Sequence, residues 1–179
     1  MNKRVTQVVI LAGGLGTRLK PFTNTAPKPM YPINNIPFID YLIRQIKSFG
    51  MEEALLLLGY LPKKIMDYLG DGSRYGLTIN YDITPVDYDT GMRIKHAAPQ
   101  IADKFLLLYC DNYCPINYSK LFADFCNNKA KIQITAYSNR DNYTKSNLHI
   151  TDDGLITTYD KKRIIPNLQG VDIGYALVD

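Results

Sequence analysis

Three charged side chains stand where the chain itself controls the backbone around them. Arg18 closes the stretch Leu11-Ala12-Gly13-Gly14-Leu15-Gly16-Thr17-Arg18, directly after the apolar run Val8, Val9 and Ile10. Clustered glycines after an apolar run mark a buried parallel strand turning into a loop whose backbone N–H groups face an anion. Glycine accepts positive φ there and lets a phosphate reach the main chain without meeting a Cβ. Thr17 adds a hydroxyl donor, and the guanidinium of Arg18 a planar fork that matches phosphate oxygens two at a time. Lys28 stands between Pro27 and Pro29, which predicts a stiff, extended, non-helical segment holding its ammonium in place. Asp111 follows the apolar run Phe105 to Tyr109. A carboxylate at the end of a parallel strand lies near such a loop, and beside phosphates it needs a cation between, for which Mg²⁺ is the hard, oxygen-seeking ion. The chemistry these residues suit is binding and neutralising a triphosphate. An isolated glycine pair with a surface arginine would read as an ordinary strand-to-helix turn; here the pair is not isolated.

Two familiar phosphate loops are excluded by spacing. A Walker loop needs Lys and then Ser or Thr after its last glycine, where this chain has Thr17-Arg18. The dinucleotide fingerprint needs a third glycine where Leu19 stands.

The elements that must position these groups can be read in order. Phe38 to Phe49 carries apolar residues at helical spacing and stops at Gly50. Glu52 to Gly59, with four consecutive leucines, is short enough to be a buried parallel strand. Pro62 to Leu69 is a second helix, Gly70 to Gly76 a loop, and Leu77 to Tyr81 an alternating strand. Pro85 to Lys95 leads into an amphipathic helix. Phe105 to Tyr109 is apolar without alternation, as a central strand covered on both faces must be. Leu121 to Asn127 reads as a helix, Lys131 to Tyr137 as a strand, and Leu155 to Tyr159 as a strand running into Lys161, Lys162 and Arg163. Alternating strands and helices predict the α/β class. His96 and His149 lack ligand spacing and are expected in surface or packing roles.

The ordered motifs GGLGTRL, PKPM and PFIDYLIRQIKSFG resemble the opening of the sugar-1-phosphate nucleotidyltransferases, whose pattern runs GGxGTRL, PKP and a P[FL]I helix ending in glycine. The resemblance implies a three-layer α/β fold with a mostly parallel, Rossmann-like sheet. It also implies the reaction of a nucleoside triphosphate with a sugar 1-phosphate to give a nucleotide sugar and pyrophosphate, with Mg²⁺ as cofactor. Carried over residue by residue, Arg18 and Lys28 become catalytic, and Leu11, Ala12, Gly13, Gly14, Gly16 and Thr17 hold the nucleotide. Thr90 and Gly91 match the family's TGG turn under the nucleobase, although Met92 replaces the second glycine. Asp111 becomes the metal ligand, with Cys110 in place of the usual glycine. Lys161, with Lys162 as second choice by strand alternation, grips the sugar phosphate; Asp172 and Gly174 line the sugar pocket. General similarity to guanylyl- and thymidylyl-transferring members leans towards guanine. The family usually continues beyond the sugar-pocket strand to a second metal-binding aspartate, so residues 1–179 are expected to form one domain without that part. A non-catalytic nucleotide- or sugar-binding module of the same fold is the alternative, against which the intact GGLGTR, PKP and Asp111 argue.

Composition narrows the class further. With 179 residues, 46% apolar and 21% charged, the chain can bury one full core and shows neither disorder nor fibrous character. A net charge of +4 without a run of five like charges, the densest basic cluster being Lys161, Lys162 and Arg163, speaks against nucleic acid and suits a small anionic substrate. Cys110, Cys114 and Cys126 have neither disulfide nor zinc spacing, and Met1 to Gln7 is polar. These features predict a soluble cytoplasmic protein that touches no membrane, with homo-oligomerisation left open.

Overall fold

The computed structural model describes residues 4–128 and 130–179; Met1, Asn2 and Lys3 of the polar opening stretch, and Lys129, lie outside them. In chain order the elements are β1 (Gln7–Ala12), β2 (Pro32–Ile33), β3 (Ile36–Pro37), α1 (Phe38–Ser48), β4 (Glu53–Leu58), α2 (Pro62–Leu69) and β5 (Thr78–Ile83). They continue with α3 (Thr90–Ala97), β6 (Phe105–Tyr109), α4 (Tyr118–Asn127), β7 (Ile132–Tyr137), β8 (Leu148–Ile150), β9 (Ile156–Tyr159) and β10 (Val171–Val178). The helix starts follow from local chemistry. Asp89 caps α3 by accepting the Met92 amide at 2.8 Å, Asn117 caps α4 by accepting that of Lys120 at 3.0 Å, and Pro62 opens α2.

Six strands form one sheet in the order β5-β4-β1-β6-β10-β7. The pairs β5–β4, β4–β1 and β1–β6 are parallel, and β10 runs antiparallel to both of its neighbours. Every residue of β1 is buried, so its two faces must both be covered. Val8, Ile10 and Ala12 pack with Ile39, Leu42, Ile46 and Ile65 of α1 and α2 and with Leu121 and Phe125 of α4. Val9 and Leu11 face Leu55, Leu57 and Ala97, the last from α3. Three layers result, with α1, α2 and α4 on one side of a mostly parallel sheet and α3 on the other. Each fully buried Ile or Leu of this core contributes about 1.5–3 kcal/mol.

The chain builds outward from β1 through β4 to β5, then returns to lay β6 against the other side of β1. Ligands of open α/β sheets bind at such a reversal, beyond the carboxyl ends of the strands on either side. That crevice lies between the loop after Ala12 and the turn after Tyr109.

One local expectation is corrected. Lys28–Met30 forms a single 3₁₀ turn instead of an extended segment. Only the amides of Met30 and Tyr31 donate in it, to Pro27 and Lys28 carbonyls at 2.9 and 3.0 Å, so neither proline is asked for a hydrogen it lacks.

Candidate active site

The loop after β1 presents bare amides to the crevice. Among the described residues, the N–H groups of Gly14, Leu15, Gly16 and Thr17 donate to no protein acceptor. Gly16 has φ 62° and ψ 33°, a left-handed conformation that glycine enters without a steric penalty, and its carbonyl accepts the Leu19 amide at 2.9 Å and the Thr23 hydroxyl at 3.2 Å. A Cβ on Gly16 would lie 2.9 Å from the Cβ of Lys28, so the missing side chain is what lets the lysine turn pack against the loop.

From the other strand, the Cys110 amide donates to the Leu11 carbonyl at 3.1 Å, and Asp111 follows at the mouth of the crevice. Its carboxylate accepts from the ammonium of Lys28. The two side chains are 34% and 38% exposed, accessible to a ligand while still fixed to each other. The thiol of Cys110 points into the core, where burial, reinforced by the neighbouring Asp111 charge, pushes its pKa up to about 12 and leaves it inert. Burial also raises the Tyr109 phenol, with Asp172 and Asp111 adding to the effect.

A cavity of about 400 Å³ gathers these groups. Its wall contains Leu11, Ala12, Gly13, Gly14, Gly16, Thr17, Arg18, Lys28, Thr90, Asp111 and Lys161, from five separate stretches of sequence. Lys161 arrives through a turn rather than through strand alternation, and Lys162 is not part of the wall. The carboxylate of Asp160 accepts the amides of Ile165 at 2.7 Å, Ile164 at 2.6 Å and Lys162 at 2.9 Å, fixing the turn. Those backbone bonds hold the Asp160 carboxyl below its ordinary pKa against the opposing effect of desolvation.

Three predicted residues lie elsewhere. Gly91 sits in the exposed first turn of α3, outside the cavity wall. Asp172 is occupied within the protein: one carboxylate oxygen accepts the Tyr159 hydroxyl at 2.8 Å and the other the Gly174 amide at 2.7 Å. At Gly174 the absent Cβ makes room for the Asn112 amide and the Tyr109 ring. Neither Asp172 nor Gly174 reaches the cavity wall.

Val86, Tyr88, Asp89 and Arg93 also line the cavity, and residue-by-residue reading passed over them. Arg93 is 4% exposed, an unusual burial for arginine. The one sequence signal for it is spacing: it lies four residues before Ala97, and both are buried on one side of α3. Among the described residues no group of three or more His, Cys, Asp or Glu is placed to hold a metal. No described helix is long and apolar enough to cross a membrane.

A sheet reversal that collects free amides, four cations and two carboxylates is the architecture of an enzyme that handles nucleotide phosphates. Residues 7–164 match the family model described as nucleotidyl transferase, and the chain belongs to that family. It is 31% identical over 156 residues, covering 87% of this chain and 68% of the relative, to a D-glycero-alpha-D-manno-heptose 1-phosphate guanylyltransferase of Campylobacter jejuni. It is 37% identical over 109 residues to a mannose-1-phosphate guanylyltransferase of Mycobacterium tuberculosis, there covering 61% of this chain and 30% of the relative. A solved structure of HddC from Yersinia pseudotuberculosis, complexed with GMP-PN, superposes with a TM-score of 0.79 at 29% identity, over 98% of this chain and 77% of that one.

Proposed function

We propose that the chain transfers a nucleotidyl group from a nucleoside triphosphate to a sugar 1-phosphate, releasing pyrophosphate. The observation that carries this reading is the convergence of the free amides of Gly14, Gly16 and Thr17 with Arg18, Lys28, Lys161 and Asp111 on one cavity at the β1–β6 crevice. The acceptor oxygen of a sugar phosphate is already ionised, so its in-line attack on the α-phosphorus needs no general base; positioning and charge neutralisation carry the catalysis. The loop amides and Arg18 hold the β- and γ-phosphates and stabilise the departing pyrophosphate. Lys28, anchored on its 3₁₀ turn, exchanges Asp111 for the α-phosphate and the incoming phosphate. Lys161, on the turn that Asp160 fixes, holds the acceptor's phosphate.

The donor set suits Mg²⁺. This ion is ordinarily bound through one or two carboxylates plus substrate phosphates, and Asp111 offers one accessible carboxylate beside the phosphate-binding amides. Asp111 would hold it, and bound there it supplies charge neutralisation at the transferring phosphate.

Three reported relatives carry guanylyltransferase or guanine-nucleotide names, so GTP is the first nucleotide to try. Purified protein is mixed with Mg²⁺, each of GTP, UTP, CTP, ATP and dTTP, and a panel of hexose, heptose and aminosugar 1-phosphates, and pyrophosphate is measured. Release that requires both substrates is expected. Nucleotide binding without release from any pair would leave the fold with a binding role and overturn the catalytic reading.

A further inference from the structure

Arg93 is a buried cation whose visible partners are almost all main-chain oxygens. Its Nη1 donates to the Leu58 carbonyl at 2.9 Å and to the Thr84 hydroxyl. Its Nη2 donates to the carbonyls of Pro85 and Val86, each at 3.0 Å, and to that of Gly13 at 3.3 Å. Among the described residues it forms no ion pair; Asp87 and Asp82 act on it only from a distance. One guanidinium therefore joins the carboxyl ends of β4 and β5, the loop that carries Val86 and Tyr88 into the cavity, and the first residue of the glycine loop.

Its bond to Gly13 has a directional consequence. In a trans peptide the C=O and the following N–H point opposite ways. The Gly13 carbonyl is drawn inward by Arg93 and by the Tyr60 amide at 3.3 Å, so the Gly14 N–H is turned outward. Gly13 is buried while Gly14 is exposed, and the Gly14 amide has no acceptor among the described residues. The guanidinium also occupies the place where a Cβ of Gly13 would stand.

We propose that Arg93 is a positioning residue of the phosphate site, which by holding the Gly13 carbonyl inward aims the Gly14 amide at a phosphate of the nucleotide. This rests on the nucleotide-handling reading of the cavity, yet needs neither the base nor the sugar to be known. Its test uses inorganic tripolyphosphate, titrated calorimetrically into the wild type, R93K, R93M, G13A and the double variant R93M/G13A, with a thermal melt of each. Lysine keeps the charge but lacks the planar fork. In G13A the added methyl meets the guanidinium on the interior side and displaces it without removing it.

The expected result is about tenfold weaker tripolyphosphate binding in R93K, R93M and G13A, the loss set by one misdirected hydrogen bond. G13A should add little in the R93M background, because both changes release the same carbonyl. A purely scaffolding arginine would lower melting temperatures and leave affinity per folded molecule unchanged, and that outcome overturns the proposal, as do additive losses. Should neither Arg93 variant fold, G13A decides alone, with unchanged affinity counting against the proposal. A wild type that releases no pyrophosphate yet binds tripolyphosphate through Arg93 would remove the catalytic reading and leave this one standing.

Discussion

Replacing Lys28 by methionine preserves the aliphatic stem that packs beside Gly16 and removes only the charge. Two unit charges about 4 Å apart at an effective dielectric of about 20 interact by about 4 kcal/mol. Lys28 and Asp111 are 34% and 38% exposed, so solvent takes part of that, leaving about 3 kcal/mol for a lysine facing a phosphate in the transition state. That corresponds to a loss of about 10²-fold in kcat/KM. The same substitution breaks the Lys28–Asp111 pair, but a pair this exposed is worth about 0–1 kcal/mol to the fold, a shift of at most about 4 °C in Tm. The assay follows pyrophosphate through inorganic pyrophosphatase and phosphate detection, with a melt on the same sample. Turnover within about threefold of wild type, in a protein with unchanged Tm, would remove Lys28 from the chemistry.

Other outcomes follow from the same geometry. Asp160 has its pKa depressed below 3.8 by the amides of Ile165, Ile164 and Lys162. Its contribution is therefore complete well above 3.8 and lost as pH falls through the depressed value; the Tm difference between wild type and Asp160→Asn should be constant above about pH 5 and close below about pH 4, and parallel acid profiles would refute this. With the Lys161 turn loosened, D160N should also raise KM for the sugar phosphate more than KM for the nucleotide. Cys110, its thiol pushed up to about 12, should stay unmodified by iodoacetamide in folded protein at pH 8 while the half-buried Cys114 and Cys126 react, as peptide mass spectrometry will show. Tyr175→Phe strips the Cys114 amide and Gln45 Oε1 of their shared partner, now at 3.0 and 2.6 Å. The cost should be about 1–3 kcal/mol, read as a lowered Tm.

How far the sequence disclosed this arrangement depends on what each group binds. The glycine loop, β6 and the approach of Asp111 were legible because apolar runs bounded by glycine or by a charge announce strand ends. The span of α2 was legible for a similar reason: Pro62 opens it and Gly70 closes it. Arg93 was not, because all but one of its partners are carbonyls, up to 80 residues away, which have no side-chain signature. A charged residue early in a helix reads as solvated by default. Strand alternation does not account for Lys161, since the turn that delivers it is built by Asp160 from main-chain amides. The direction of β10 was equally hidden; Val171 to Leu177 looks the same run either way, and only its pairing with β6 and β7 defines it.

That strand has a consequence for biosynthesis. Because β10 lies between β6 and β7, a ribosome that has delivered only the first 170 residues leaves β6 as a raw border, with Leu106 and Leu108 and their unpaired amides open to other nascent chains. The strand that leads to Asp111 gains its second neighbour only when residues 171–178 slot in, so closure of the sheet is a late, long-range event. Until then the molecule is most in need of a chaperone.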